Sequence, residues 1–193
     1  MMKTLKEQLA LECSYQLDDL VMDRFLSGGE IVDLKPGEVL IHAGQYDPNV
    51  YIVKSGVIRH TFMNGENEKT ATFALAPTMF IEYHCYYAKE QSFYQVEACC
   101  RSQVLKIPKS HYDFMIAEYH EFARWALSMA DNQFFYYERK NSVINGDAKE
   151  RFESLIKNRP EIIESVPLKI IASYLGITQQ YLSKLKNSKK QAD

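Results

Sequence analysis

Between residues 30 and 107 the sequence divides into short β-rich runs, and this pattern constrains the fold more than any other feature. The runs are EIVDL, EVLIHA, VYIVKS, VIRHTFM, TATFAL, YQVEACC and QVLKI. Glycine, proline or asparagine follows many of them, and these residue types favour turns. Asn64-Gly65 predicts a type I′ hairpin turn, because both residues tolerate positive φ. Runs of this length at such regular spacing predict a small antiparallel sandwich or barrel.

Helical patterns lie on both sides of the β-rich region. Residues 5–26 place leucines at helical spacing, and Ser27-Gly28-Gly29 ends the pattern, which predicts one or two short helices. Ser110 with Asp113 predicts a further helix start. No proline or glycine interrupts residues 120–145, so we expect one long helix there.

The predicted long helix is apolar on more than one face. Its apolar residues include Phe122, Leu127, Met129, Phe134, Phe135, Tyr136 and Tyr137. A helix about 39 Å long, at 1.5 Å per residue, cannot bury so wide a surface on one small sandwich. We therefore expect part of it to pair with a second copy of the chain. The alternative is a core helix with scattered exposed aromatic side chains.

Asn145-Gly146 breaks the helical pattern, and Asp147 with Glu150 predicts a capping box that starts the next helix. We place a hinge at residues 145–147. The chain then divides into N-terminal helices with the β-rich domain (residues 1–119), the long helix (residues 120–145) and a C-terminal domain (residues 146–193).

Residues 168–187 fit the 20-residue template of a helix-turn-helix. Ala172 is small where the two helices cross, and Gly176 supplies the left-handed turn between them. Thr178 is placed to cap the second helix, and Pro167 suits the first position of the first helix. The remaining template positions are apolar: Ile171, Leu175, Ile177, Leu182 and Leu185. A structural helical hairpin that never touches DNA is the alternative.

The charge distribution favours a polyanionic partner at this end. The chain has a net charge of −2, whereas residues 165–193 contain five lysines and one acidic residue, a net charge of +4. The predicted DNA-binding residues are Thr178, Gln179, Gln180, Tyr181, Ser183, Lys184 and Lys186, with Lys189 and Lys190 as further phosphate contacts. Glutamine pairs with adenine, and lysine donates to guanine or to phosphate.

Other classes of protein are disfavoured by patterns that the sequence lacks. The four cysteines form no CxxC pair, and the adjacent Cys99-Cys100 make a poor disulfide, so we expect reduced thiols. The five histidines show no metal-ligand spacing, and we expect no metal site. GxSxG, P-loop and HExxH patterns are absent, so we expect no catalytic residues and no enzyme. No apolar run approaches the roughly 20 residues of a membrane helix, and Glu7 and Glu12 are unlike a signal peptide. We expect a cytoplasmic protein without a membrane partner.

The order of these segments resembles the cyclic AMP receptor protein / fumarate-nitrate regulator (Crp/Fnr) family of bacterial transcription factors. The resemblance lies in LKPGEVLIHAGQ (34–45), VYIVKSGVIR (50–59), VEA (96–98) and VPLKIIASYLGITQQYLSKLK (166–186). The last stretch is similar to a branch common in Bacteroidetes. The resemblance implies an α+β fold with an N-terminal cyclic-nucleotide-binding-like β-roll (a double-stranded β-helix), a long dimerisation helix and a C-terminal helix-turn-helix domain without a wing.

The same resemblance implies a homodimer that regulates transcription at palindromic sites. Its partners would be double-stranded DNA and a second copy of the chain, with RNA polymerase and an unidentified small-molecule effector as further candidates. Iron–sulfur members need several N-terminal cysteines, and this chain has only Cys13 there, so no cofactor is expected. The alternative function is a ligand-sensing or protein-interaction module of this fold without specific DNA binding.

One departure from the family concerns the ligand. Members that bind a cyclic nucleotide hold its phosphate with a Gly-Glu pair and an Arg-Ser/Thr-Ala segment, where this chain has Ile81-Glu82 and Ser92-Phe93-Tyr94. Without an arginine fork a buried phosphate loses its bidentate partner, so we expect no cyclic AMP or cyclic GMP binding. The candidate effector-pocket residues are Phe80, Glu82, Tyr83, Phe93, Tyr94 and Trp125. The alternative is that aromatic side chains simply close a vestigial pocket.

Overall fold

The computed structural model describes residues 3–144 and 147–190. Its α-helices are α1 (Leu5–Leu9), α2 (Asp19–Ser27), α3 (Lys109–Glu118), α4 (His120–Ile144), α5 (Ala148–Asn158), α6 (Pro160–Ser165), α7 (Leu168–Leu175) and α8 (Gln179–Lys190). Its strands are β1 (Glu30–Leu34), β2 (Val39–Ile41), β3 (Val50–Ser55), β4 (Val57–Asn64), β5 (Asn67–Leu75), β6 (Met79–Ile81), β7 (Gln95–Ala98) and β8 (Ser102–Ile107). A π-helix (His84–Ala88) lies between β6 and β7. Among the helices of these residues, none has both the length and the apolar character needed to span a membrane.

The strands form two antiparallel sheets that face each other. Sheet A has the order β1-β8-β3-β6, and sheet B has the order β2-β7-β4-β5. Every one of these strands contributes to the core between the sheets, which contains Leu34, Ile41, Tyr51, Val53, Ile58, Ala74, Phe80, Val96, Ala98 and Val104. Since successive side chains of a strand point to opposite faces, their neighbours point outward. The mixed α+β fold with an antiparallel β-roll is therefore confirmed.

The outer face of sheet A is covered by helices α1 to α4. Ile52 of β3 and Leu105 of β8 pack in one buried cluster with side chains of these helices. The ring centroid of Phe122 on α4 lies 4.7 Å from that of Phe25 on α2 and 5.4 Å from that of Trp125. Burying a large apolar side chain of this kind contributes about 1.5–3 kcal/mol. These contacts fix the first half of the long helix to the roll.

The outer face of sheet B is covered by helices α5 to α8, which we call the C-terminal unit (residues 147–190). Four side chains join the buried core of this unit, three on strands of sheet B and one directly after β7: Val57, Phe73, Leu75 and Cys99. We call these four the docking face. The buried side chains that the unit contributes are Phe152, Leu155, Ile162, Val166, Ile171, Ala172, Leu175 and Leu182. The molecule is therefore built of four layers, with helices outside both sheets.

The start of the C-terminal unit follows the predicted capping box. The Asp147 carboxylate accepts hydrogen bonds from the backbone N–H groups of Lys149 and Glu150, and the Glu150 side chain accepts one from the Asp147 N–H. The predicted hinge at Asn145-Gly146 lies outside the described residues. Pro167 occupies the N-cap of α7 and not its first helical position, because the helix begins at Leu168.

Two local predictions were wrong. The first is the type I′ turn at Asn64-Gly65. Asn64 pairs with Asn67 across the β4–β5 hairpin, so the loop is Gly65-Glu66. Of these two loop residues only Gly65 has a positive φ, of 62°. Helix α3 begins at Lys109 after Pro108, and no side chain caps it. The Asp113 carboxylate instead accepts hydrogen bonds from the Tyr86 hydroxyl and the Lys109 ammonium, and these donors hold its pKa below its usual range against the opposing effect of burial. At Asp113 a partner from another element, Tyr86, replaced the expected local one.

A buried ion pair lies on the outer side of sheet B. Arg59 of β4 donates from Nε to Oε1 of Glu97 on β7 at 2.8 Å and from Nη2 to the same oxygen at 2.5 Å. Its Nη1 reaches Oε1 of Glu68 at 2.8 Å and Oγ1 of Thr70 at 3.2 Å, both on β5. Gln95 donates to the second oxygen of Glu97 at 2.8 Å. One guanidinium therefore ties together three neighbouring strands.

Replacing Arg59 with methionine should strongly destabilise the protein. The substitution leaves Glu97 buried without its counter-charge, and breaking a buried pair in this way costs about 3–5 kcal/mol. Urea denaturation measures the free energy of unfolding. Adding Glu97→Gln to Arg59→Met removes the stranded charge, so we expect the double variant to be more stable than the single variant. Equal unfolding free energies for the two variants would contradict this explanation.

Candidate functional site

The space between the sheets, where β4, β6 and residues 92–94 meet, is filled by aromatic rings. Phe80 stacks on Tyr51, with ring centroids 5.3 Å apart, and meets the edge of His60 at 5.0 Å. His60 also meets Tyr94 at 6.1 Å. Ring-to-ring contacts at these distances are favourable in a packed core. The aromatic side chains therefore contact one another here.

Tyr51 is held at the base of this ring cluster by a buried carboxylate. Its hydroxyl donates to Oδ2 of Asp47 at 2.9 Å, and both side chains are buried. Burial, with the Asp47 charge added, raises the pKa of Tyr51 well above its ordinary value. The phenol therefore remains a protonated donor at neutral pH. Asn49 donates to the other oxygen of Asp47, at 2.9 Å from its side chain.

The structure separates the predicted effector-pocket residues into three groups. Phe80 is buried within the ring cluster, and Tyr94 lies at its margin. Tyr83 and Phe93 are exposed to 45% and 53%, so they lie on the surface of the roll. Trp125 lies elsewhere, against Phe25 and Phe122 under the N-terminal helices. It faces the outside of sheet A, which the sequence alone could not indicate.

Glu82 and Ser92 stand in the two segments that align with the phosphate-holding segments of ligand-binding Crp/Fnr members. Glu82 is buried, and its Oε1 accepts a hydrogen bond from the backbone N–H of His84 at 3.3 Å. The hydroxyl of Ser92 donates to the carbonyl of Tyr94 at 2.6 Å. The backbone of Ser92 donates to Gln45 and accepts from the N–H of Gly44, both at 2.8 Å. Both side chains are thus engaged with nearby backbone and present no cationic group to a phosphate.

The long helix closes over this region. The side chain of Gln133 donates to the carbonyl of Met79 on β6, and the Tyr83 hydroxyl donates to Oε1 of Gln133 at 3.4 Å. Helix α4 is therefore bonded directly to β6 and to the residue that precedes the π-helix.

The last two helices form a tight pair around Gly176. Gly176 adopts a left-handed conformation with φ of 68°, and the N–H of Ile177 donates to the carbonyl of Ala172 at 3.0 Å. Thr178 caps α8, since its Oγ1 accepts from the N–H of Tyr181 at 3.2 Å. The pair is joined by buried side chains of both helices: Ile171, Ala172, Leu175 and Leu182. A non-glycine residue at the turn would meet the steric penalty of positive φ.

Helix α8 presents a polar face to solvent. Gln179, Gln180, Tyr181 and Lys184 are exposed, as is Thr178 at the cap. Ser183 and Lys186 are partly buried, and Gln179, Gln180 and Ser183 line one shallow concavity. Leu182 on the opposite side is fully buried. The side chains of Lys189 and Lys190 lie outside the described residues. Three of the predicted contact residues, Gln179, Gln180 and Ser183, thus share one accessible surface.

The outward side of α4 carries a feature that the sequence reasoning missed. Five of its exposed or half-exposed apolar residues are spaced alternately by four and three positions: Ala123, Leu127, Ala130, Phe134 and Tyr137. Leu127 and Phe134 are exposed to 63% and 67%. A 4-3 repeat is the signature of a coiled-coil seam. The burial of Phe122, Trp125 and Met129 on another face was needed to separate this seam from the rest of the apolar helix.

Residues 31–119 match the family model described as the cyclic nucleotide-binding domain. A comparison with curated proteins gave no match. Among solved structures, the chain is similar to the c-di-GMP-responsive global regulator CLP of Xanthomonas campestris, with 10% identity over 91% of this chain and 93% of that one and a TM-score of 0.69. It is also similar to FixK2 of Bradyrhizobium japonicum, with 16% identity over 85% of both chains and a TM-score of 0.70.

A third similar structure is a protein of Eubacterium rectale assigned to the Crp/Fnr family of transcriptional regulators, with 16% identity. The match covers 91% of this chain and 85% of that one, with a TM-score of 0.66. Residues 31–119 are therefore similar to the cyclic nucleotide-binding domain. The overall fold is similar to that of these three solved structures.

We expect cyclic AMP to leave the stability of the protein unchanged. The aromatic cluster occupies the space between the sheets, and no Lys or Arg occurs between Lys69 and Lys89 to hold a phosphate. A ligand at 100 times its Kd would raise the free energy of unfolding by about 2.7 kcal/mol. Thermal unfolding with and without cyclic AMP measures this effect, with 5′-AMP as the matched control. A shift given by cyclic AMP and not by 5′-AMP would show that the expectation is wrong.

Proposed function

We propose that the chain is a homodimeric transcription regulator of the Crp/Fnr type that reads a palindromic operator with helix α8. The observation that carries this proposal is the α7–Gly176–α8 pair, in which Gln179, Gln180 and Ser183 line one accessible surface while Leu182 is buried. In helix-turn-helix proteins the second helix enters the major groove with its N-terminal residues against the base edges. Gln179, Gln180 and Lys184 have the side chains for this role, since glutamine pairs with adenine and lysine donates to guanine or phosphate.

Charge supports nucleic acid as the partner of this surface. Residues 165–193 carry a net charge of +4 on a chain whose total is −2. Phosphate contacts position a protein on DNA, and Tyr181 and Lys186 lie where they would make such contacts beside the base-reading residues. The acidic remainder of the chain repels DNA, so electrostatic attraction favours an approach through this end.

A second copy of the chain fits the exposed seam of α4. Leu127, Phe134 and Tyr137 would leave a large apolar stripe in water on a monomer, whereas a 4-3 repeat packs against its own copy in a two-stranded coiled coil. A dimer also supplies the two reading helices that a palindrome requires, about 34 Å apart. In this proposal residues 1–119 are the sensor-like domain, residues 120–145 the dimerisation helix and residues 146–193 the DNA-binding domain.

The closed roll supports a regulator that does not respond to cyclic AMP. Phe80, His60 and Tyr94 fill the interior with rings, and Ile81-Glu82 stands where ligand-binding relatives have Gly-Glu. A phosphate there would lack the bidentate, charge-assisted partner that an arginine provides. The aromatic side chains are therefore assigned to closing the vestigial pocket.

Phe134→Glu should separate the dimer into monomers. The substitution places a charge in the centre of the seam, where it would be desolvated by the second helix, and we expect the dimer Kd to rise at least about tenfold. Sedimentation equilibrium measures this Kd. Phe135→Glu is the matched control, because Phe135 is exposed to 54% but lies outside the 4-3 repeat. An equal rise in the dimer Kd for the two substitutions would contradict the proposal that the 4-3 repeat forms the dimer contact.

Substitutions on α8 should distinguish the residues that contact bases from those that contact phosphates. The palindrome is first selected from random DNA by the purified protein. We expect Gln180→Ala to lose about 1–3 kcal/mol of binding and to relax the preference at one base pair. We expect Lys184→Ala to lower the slope of log K against log salt concentration by about 0.9, since one released counterion is lost. Fluorescence anisotropy measures both quantities.

Lys35→Ala is the control for these experiments, because Lys35 is exposed on the roll and belongs to no proposed contact. Binding that is absent or insensitive to salt would reject the DNA-binding proposal. That result would favour a ligand-sensing or protein-interaction module of the same fold.

A further inference from the structure

Helix α7 lies against strand β5, which is the last strand of sheet B. The outer side of an edge strand carries backbone N–H and C=O groups without a strand partner. Here the hydroxyl of Ser173 accepts a hydrogen bond from the N–H of Thr70 at 3.1 Å and donates one to the carbonyl of Glu68 at 3.2 Å. One side chain of α7 thus occupies both bonding groups at this point of the edge.

Arg59 holds the same two residues of β5 from the sheet. Its Nη1 bonds to Oε1 of Glu68 at 2.8 Å and to Oγ1 of Thr70 at 3.2 Å. Glu68 and Thr70 therefore present their backbone groups to Ser173 while their side chains are fixed by a buried guanidinium. This arrangement defines where α7 sits along the strand.

Apolar contacts next to Ser173 complete the junction. The ring of Tyr174 lies 4.9 Å from the ring of Phe73 on β5. Phe73 and Cys99 of the docking face are 8% and 6% exposed, within the core that the C-terminal unit also fills. Polar and apolar contacts together fix the unit to the roll in one register.

The side chains proposed to read DNA take no part in the contacts of this junction. Gln179, Gln180 and Lys184 are exposed while Ser173 and Tyr174 are engaged with β5. Docking of the C-terminal unit on the roll therefore leaves the side chains proposed to read DNA exposed.

We propose that Ser173 is a positioning residue, whose contact with β5 holds the two C-terminal units of the dimer in the orientation that a palindrome requires. This inference rests on the proposed function. A bivalent reader whose two halves are fixed in advance avoids the entropy of ordering them on DNA, and its second contact becomes intramolecular. Loosening the junction should therefore weaken binding to two half-sites together and spare binding to one.

The first experiment measures the junction without DNA. Cys99 is 6% exposed beneath the C-terminal unit, and burial raises the pKa of its thiol to about 12, so we expect faster reaction with iodoacetamide when the unit leaves the docking face. Ser173→Ala should speed its alkylation about tenfold, the effect of losing two ordinary hydrogen bonds. A Cys100→Ser background places Cys99 alone in the tryptic peptide of residues 90–101, which mass spectrometry resolves. An unchanged rate would overturn the inference.

The matched control for alkylation is Ser154→Ala. Ser154 lies on α5 in the same unit, and its hydroxyl accepts a hydrogen bond from Asn158 of the same helix at 3.1 Å. We expect Cys99 in the Ser154→Ala variant to be alkylated at the same rate as Cys99 in the parent protein. A tenfold increase in this control would mean that any loss of a hydroxyl in the unit opens it, and the specific role of Ser173 would be rejected.

The second experiment compares two DNA probes, the selected palindrome and the same DNA with one half-site scrambled. Ser173→Asp cannot donate to the Glu68 carbonyl and places a negative charge beside it, so it should release the unit more fully than alanine. We expect affinity for the palindrome to fall about tenfold or more and affinity for the single half-site to stay within about twofold. Ser154→Asp should leave the affinity for each of the two probes unchanged.

The outcomes separate this inference from the proposed function. An equal loss of affinity for both probes would indicate damage to the reading helix and would overturn the positioning role. Unchanged affinity for both probes, or a gain in affinity for the palindrome, would overturn it as well. If the parent protein selects no palindrome, the proposed function fails, and the positioning role, which rests on it, fails with it. The alkylation rates would still report whether Ser173 holds the junction.

Discussion

The packing of sheet B on both faces is the constraint on which the rest of the structure depends. Ile58 of β4 points into the core between the sheets, whereas Val57 points outward into the core of the C-terminal unit. A sheet with one apolar face can leave the other in water, but this sheet cannot, because its outer face carries Val57, Phe73 and Leu75. The C-terminal unit covers this face, and the buried Arg59–Glu97 pair lies on the same side of the sheet.

Strand β4 also connects the two places where function is proposed. Its inward residue His60 touches Phe80 and Tyr94 in the ring cluster, and its outward neighbour Arg59 braces the strand that holds α7. The same strand pairing contains a register shift between His60 and Thr61 opposite β5. Rings that close the interior have the further effect of making the roll rigid, since packed cores resist small displacements. A rigid roll suits a junction that fixes the orientation of the unit beside it.

Much of the fold could be predicted from local patterns, and the failures share one cause. The runs EIVDL and VYIVKS became strands β1 and β3 without a change of boundary, and Asp147 with Glu150 formed the predicted capping box. These features depend on alternation and on bonds between near neighbours in sequence. Strand β6 was missed because three residues carry too little periodicity, and it exists through pairing with β3. Asp113 was assigned to a helix start, but Tyr86 and Lys109 bind it instead.

The sequence alone determined the succession of helical and β-rich regions, the Gly176 turn and the absence of a cation at the usual phosphate positions, since each depends on residue type and spacing. Only the tertiary structure decided that Trp125 lies outside the roll, and that Phe80 fills its interior. It also selected the 4-3 seam of α4 and joined Ser173 to Thr70, across more than one hundred residues. The physical reason is that burial and long-range hydrogen bonds depend on which surfaces meet, and no local pattern in the chain encodes that choice.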